Sequence, residues 1–113
     1  KKAVLSNKRE DFSQQVVEVM GLAGFFQAVR GGNSYGVLKP SPEGLSALIK
    51  EFGSNPARTF MVGDKPEDVL TGRGAGARTV ALTCGYSDPA TIAAARPEFM
   101  LDSFSQLTDL FGV

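Results

Sequence analysis

Short apolar runs alternate along this chain with longer stretches in which apolar residues recur every three or four positions. Ala3 to Leu5 stops at Ser6-Asn7 and reads as a buried strand with a polar tip. Asp11 is then placed to cap a helix carrying Phe12, Val16, Val19 and Met20 on one face, ended by Gly21 and Gly24. Phe25 to Val29 is a weaker strand, closed by Gly31-Gly32, and residues 33–40 form a loop that carries Lys39. Ser41 and Pro42 suit the cap and first position of a second helix, with Leu45, Leu48, Ile49 and Phe52 facing inward and Gly53 as its stop.

The third run, Thr59 to Val62, ends at Gly63 and is followed at once by Asp64. Pro66 opens its helix, which runs to about Ala75 with Asp68 in the first turn and glycines at 72, 74 and 76. Each glycine costs an isolated helix about 1 kcal/mol relative to alanine, so this helix is expected to lie very close to the sheet or to end early. Arg78 to Thr83 is a fourth strand, 85–89 a turn, Pro89 to Ala95 a short helix and Phe99 to Leu101 a small edge strand. Ser103 should cap a final helix that buries Phe104, Leu107, Leu110 and Phe111. Strands alternating with helices predict an α/β fold of three layers, a parallel sheet with helices on both faces.

Composition narrows the chemistry. The 113 residues suit one domain, and 42% hydrophobic with 21% charged residues is ordinary for a globular chain. Twelve basic and twelve acidic residues cancel, which leaves no electrostatic footprint for nucleic acid or an anionic membrane. No apolar stretch approaches the ~20 residues that span a bilayer. One cysteine, Cys84, cannot form an internal disulfide and fits a reducing, cytoplasmic setting. With no histidine, catalysis through Ser-His-Asp or Cys-His is excluded, as is every histidine-containing zinc site.

The candidate groups stand at strand ends or in the adjoining loops: Ser6, Lys39 and the pair Asp64/Asp68. In open α/β sheets ligands gather at the carboxyl edge, so a hydroxyl, an ammonium and two carboxylates there suit phosphoryl transfer. The metal should be Mg²⁺, which takes oxygen ligands and is commonly held by one or two carboxylates. Singly, each feature has a plainer explanation. Ser6 can be a turn former, Lys39 a solvated loop lysine, and the two acids can complement a helix dipole. Cys84 is a small strand-end residue without a nearby base, and the glycines match no dinucleotide fingerprint.

Taken in order, Val-Leu-Ser6-Asn7-Lys8, then Lys39-Pro-Ser-Pro, then Val-Gly-Asp64-Lys-Pro-Glu-Asp68 resembles the haloacid-dehalogenase-like hydrolases. The stretch Gly74-Ala-Gly-Ala-Arg-Thr-Val-Ala-Leu-Thr-Cys-Gly-Tyr86 is most similar to the phosphoglycolate-phosphatase branch. The resemblance implies that the Ser6 hydroxyl and Asn7 backbone amide bind the substrate phosphate. Lys39 would bridge the phosphate and the nucleophile. Asp64 would ligate Mg²⁺, with Asp68 orienting a metal-bound water or completing the shell. Lys65 departs from the family pattern, which usually has a small polar residue there.

The family's nucleophile is the first aspartate of an Asp-x-Asp motif, its second the general acid/base, and no Asp-x-Asp occurs here. The chain opens straight into a strand, as though a segment precedes it. By the resemblance, residues 1–113 are the C-terminal part of a catalytic core, without the nucleophile strand and the substrate-selecting cap. That strand would lie centrally, between the Ser6 and Asp64 strands, so this segment alone is expected to be inactive and to expose two unpaired edges. The implied activity is Mg²⁺-dependent hydrolysis of a small, phosphoglycolate-like phosphomonoester through an aspartyl-phosphate. The partners would be that phosphorylated metabolite and the absent half of the core. A phosphomutase of the same fold, or a hydrolase remnant acting as a binding module, are the alternatives. A phospho-receiver domain would place its acidic pair first and its lysine last, the reverse of the order here.

Overall fold

The computed structural model describes residues 1–112. Its elements are β1 (Ala3–Leu5), α1 (Glu10–Val19), β2 (Ala28–Arg30), α2 (Glu43–Glu51), β3 (Phe60–Gly63), α3 (Pro66–Gly74), β4 (Arg78–Leu82), α4 (Pro89–Ala94), β5 (Phe99–Leu101) and α5 (Ser105–Phe111), with short 3₁₀ turns at Ala23–Phe25 and Pro56–Arg58. The strands pair in parallel but in two sheets, β1–β2 and β3–β4–β5. Ala3 registers with Ala28, Met61 with Thr79 and Val80 with Phe99. Among the described residues β1 and β3 are each paired on one side only, which matches the two open edges expected from the motifs.

Side-chain alternation explains the layering of the larger sheet. Met61, Thr79 and Ala81 share one face. Ala81 packs there with Val69 of α3 and with Ile92 and Ala95 at α4. Gly72 makes the close approach possible, because a Cβ on it would stand 2.6 Å from Thr79 Cγ2 and 2.9 Å from Met61 Cβ. Both expectations for this helix hold: Gly72 lets it lie close to the sheet, and it ends at Gly74, with Gly76 at φ 75° just beyond. On the opposite face α5 sets Phe111 edge-on to Phe60, with ring centroids 4.9 Å apart. Arg78 lies over Phe60 at 4.7 Å and over Phe99 at 5.7 Å, and its guanidinium pairs with Glu98.

Four expectations are corrected. The second strand begins at Ala28, because residues 23–25 form a 3₁₀ turn. Asp11 does not cap α1: it lies within the first turn and accepts from Phe12 N–H and from Arg9 Nε, while the Asn33 side chain of the next loop accepts from Glu10 N–H at 2.7 Å. A cap supplied from 23 residues away is invisible to local pattern. The apolar stripe of α1 is exposed, with Val19 82% and Met20 64% accessible, and the residues it buries are Ser13 and Val17. A sheet of two short strands offers α1 only a narrow surface, so the helix seats its smaller residues and leaves the larger ones outside. In α5 no residue is fully buried, and Ser103 bonds Ser105 Oγ while Gln106 Oε1 caps the backbone of Asp102 and Ser103. That helix lies over a small sheet near its edge, which it covers only in part.

Candidate active site at the carboxyl ends of the strands

The candidate rim lies at the carboxyl ends of β1 and β3, which belong to separate sheets and are joined there by Lys39. Lys39 Nζ donates to the carbonyl of Leu5, the last residue of β1, at 3.0 Å and to Asp68 Oδ1 at 2.6 Å. A single ammonium therefore joins the end of one sheet to the first turn of the helix that follows β3. The pair is largely buried, with side-chain exposures of 14% and 8%. Taking two charges out of water is costly unless each is paired and its remaining sites are bonded. The second oxygen of Asp68 is also engaged, accepting the Lys65 backbone N–H at 3.2 Å, while the Asp68 N–H donates to the Lys65 carbonyl at 3.1 Å. Asp68 thus closes the start of α3 and anchors Lys39, and both carboxylate oxygens are occupied within the chain.

Asp64 has a different environment. No ion pair engages it among the described residues. It lines a cavity of about 320 Å³ together with Val62, Gly63, Leu82, Cys84, Gly85 and Phe104. Two glycines leave room for the carboxylates of this rim. A Cβ on Gly63 would overlap the Asp68 carboxylate, and a Cβ on Gly85 would overlap Asp64 Oδ2 and stand 2.9 Å from Asp64 Cβ. In the sequence Gly85 reads as the start of a turn and as part of the phosphoglycolate-phosphatase-like stretch, and the contact with Asp64 is visible only in the structure. Its place three residues beyond the end of β4 signals that turn, and nothing in its spacing signals the contact.

The tip of β1 supplies the third component. Ser6 N–H donates to Arg30 O at 3.0 Å, extending the β1–β2 ladder by one bond. The Ser6 hydroxyl accepts the Lys8 N–H at 3.1 Å and lines a second cavity, of about 220 Å³, with Val4, Lys8, Phe12, Ser13, Val16 and Val17. Asn7 reaches across to Lys39 by its side chain. The structure therefore brings Lys39, Asp68 and the β1 tip into direct contact. Ser6 and Asp64 stand to either side, each lining its own cavity and joined by no hydrogen bond to that centre. Lys65, the residue that departs from the pattern, is exposed.

The geometry is that of parallel strand ends with an ammonium bonded to the first turn of a helix, a free carboxylate in one cavity and a hydroxyl in another. The sequence model of the haloacid dehalogenase-like hydrolases matches residues 1–82, and the chain belongs to that family. Among curated relatives it is 37% identical to a phosphoglycolate phosphatase of Vibrio vulnificus over 96% of its own length and 47% of that protein's. It is 34% identical to one from Haemophilus influenzae, covering 96% of this chain and 48% of that one. A crystal structure of a predicted phosphoglycolate phosphatase from Haemophilus somnus superposes with a TM-score of 0.90 at 30% identity, over 96% of this chain and 48% of the other. The chain spans about half the length of the curated relatives it matches. No helix among the described residues is long and apolar enough to cross a membrane.

Proposed function

We propose that residues 1–113 are the C-terminal part of the core of a phosphatase that hydrolyses a small phosphomonoester of the phosphoglycolate type. The observation that carries this is the Lys39 ammonium, held at once by the end of β1 and by Asp68 in the first turn of α3, the helix that Asp64 precedes. A fixed cation at a strand-end rim is the group that a transferring phosphoryl needs, because its negative charge is spread over several oxygens. The relatives named phosphoglycolate phosphatase support the substrate class.

In this reading the Ser6 hydroxyl and Asn7 N–H bind phosphate oxygens, and Lys39 neutralises the phosphoryl group and holds the nucleophile opposite it. The nucleophile is a carboxylate from a preceding strand that fits between β1 and β3, each of which has an unpaired edge. That carboxylate takes the phosphoryl group as the ester P–O bond breaks, and the alcohol leaves with a proton from the second aspartic acid of the Asp-x-Asp motif. Water, giving a proton back to that aspartate, then attacks phosphorus and frees the nucleophile as inorganic phosphate departs. The residues present suit Mg²⁺. Asp64 is a free carboxylate with room kept open by Gly85, and although no cluster of three or more acidic, cysteine or histidine side chains occurs among the described residues, Mg²⁺ keeps several waters and needs only one or two carboxylates. Asp64 would hold the ion and Asp68, already bonded to Lys39, would act through an intervening water. When bound, the ion offsets charge on the phosphoryl oxygens.

The test is a hydrolysis assay with 2-phosphoglycolate and Mg²⁺. A protein extended upstream through the preceding strand is expected to turn over, and Asp64→Asn or Lys39→Ala to lower kcat by about a hundredfold or more. Residues 1–113 alone are expected to release no phosphate. Multiple turnovers by the short chain would remove the claim that the nucleophile lies elsewhere. An extended protein that hydrolyses no phosphomonoester would leave the binding-module alternative in its place.

A further inference from the structure

The side chain of Asn7 is committed to the loop that carries Lys39. Its Nδ2 donates to the Lys39 carbonyl at 3.0 Å, and the Lys39 N–H donates to its Oδ1 at 2.8 Å, across 32 residues of chain. We propose that Asn7 is the positioning residue for Lys39: its carboxamide fixes the Lys39 backbone so that the ammonium reaches Leu5 O and Asp68. The proposal deepens the phosphatase reading above and rests on it for its catalytic meaning. The role is distinct from the phosphate binding proposed above for the Asn7 backbone amide, because it uses the side chain alone.

Two bonds to the two peptide groups of one residue set both its distance and its rotation, which a single bond cannot do. Only a side chain with a donor and an acceptor on one planar group can make this pair, so asparagine suits the position where serine or aspartate would not. The approach is close. A Cβ on Gly32 would overlap the Asn7 carbonyl and stand 2.6 Å from Leu38 Cδ2, so the second glycine of the Gly31-Gly32 pair lets the loop lie against residue 7. Lysine has a long, freely rotating stem, and its rotamer entropy is large. Fixing its backbone end therefore removes much of the search needed to place Nζ between Leu5 O and Asp68 Oδ1. If Asn7 merely closed a turn, its loss would leave the Lys39 ammonium in place and would lower kcat equally with or without Lys39.

Residue-resolved reductive methylation of the chain, read by mass spectrometry, distinguishes these outcomes and needs neither substrate nor metal. In the native sequence Lys39 is expected to react much more slowly than the exposed Lys50 and Lys65. Asn7→Ala should raise the Lys39 rate about tenfold relative to Lys50, the scale set by losing one or two hydrogen bonds. Asn7→Asp keeps the acceptor for Lys39 N–H and loses the donor to its carbonyl, and should give an intermediate rise. Should Asn7→Ala unfold, with every lysine reacting alike, Asn7→Asp carries the test. A Lys39 rate unchanged in the folded Asn7 variants overturns the proposal. In the active protein the same idea predicts non-additivity: once Lys39→Ala is present, adding Asn7→Ala should change kcat less than twofold. Full additivity would also overturn it. Absence of any phosphatase activity would sink the phosphate reading and leave the labelling result intact.

Discussion

The two sheets of this molecule are held together unequally. Around β3, β4 and β5 the core is dry: Val69, Val80, Ala81 and Ile92 are at most 2% exposed, with helices against both faces. Around β1 and β2 only Val17, Ala28 and Ser13 are fully buried between strand and α1, and the helix turns Phe12, Val16, Val19 and Met20 outward. The strong apolar stripe belongs to the exposed helix α1, whereas α3, which packs on the buried core, has almost none. The difference shows that a hydrophobic stripe reports a tendency to be covered, whereas burial requires a surface wide enough to cover it.

The sharpest way to break this comparison is to truncate one apolar side chain in each region. Ile92→Ala is expected to destabilise the chain by about 2–5 kcal/mol, while Val19→Ala on α1 changes stability by less than about 0.5 kcal/mol. Urea unfolding midpoints with constant slope measure both. Equal effects would mean that α1 is packed as tightly as α4.

Next in size is the close contact of α3. Gly72→Ala forces a methyl against Met61 Cβ and Thr79 Cγ2 and should cost about 1–3 kcal/mol, outweighing the helix propensity gained. The same substitution at Gly24, where nothing lies within 4 Å, should be close to neutral. In the looser half, Ser13 Oγ is buried without a hydrogen-bond partner among the described residues. Ser13→Ala removes an unsatisfied hydroxyl and improves helix propensity, so a gain of about 1 kcal/mol in urea unfolding is expected. A loss would indicate a partner, such as water, for that hydroxyl.

The smallest effect is electrostatic and belongs to the link between β2 and α2. Tyr35 Oη donates to Glu51 at 2.6 Å, and Arg30 pairs with the other carboxylate oxygen at 3.0 Å. Partial burial first, and then the bond to Glu51, raise the Tyr35 hydroxyl above its ordinary value of 10.0. Because the folded value is the higher one, this contribution is complete below about pH 10 and is lost as pH rises through the folded value. The bond from Tyr35, then that from Arg30, lowers Glu51 below 4.5, so its contribution is present above that value and fades as pH falls through the folded value. In a Tyr86→Phe background, tyrosinate absorbance should titrate later in the folded chain than in urea. Titration at the same pH in both would remove the Tyr35–Glu51 bond from the account.

The legible part of the site was the part carried by local order. Ser6, Lys39 and Asp64 stand out as candidates because each follows or adjoins an apolar run, and strand ends are where such chains place polar groups. Their relations were not legible. The contact of Lys39 with Asp68 spans 29 residues, and the Asn7 clamp on Lys39 spans 32. Gly85 is defined by the space Asp64 occupies, which no spacing rule contains.

Read alone, the residues were enough for the succession of strands and helices, the parallel α/β class and the edge where chemistry would gather, because periodicity and turn chemistry act over a few positions. Tertiary structure decided which helix faces are covered, that Asn33 rather than Asp11 caps α1, and that Asp68 spends both oxygens inside the chain while Asp64 keeps its own. Those outcomes depend on surfaces and partners brought together from distant segments, and each hydrogen bond or buried methyl is worth too little for its own neighbourhood to announce it.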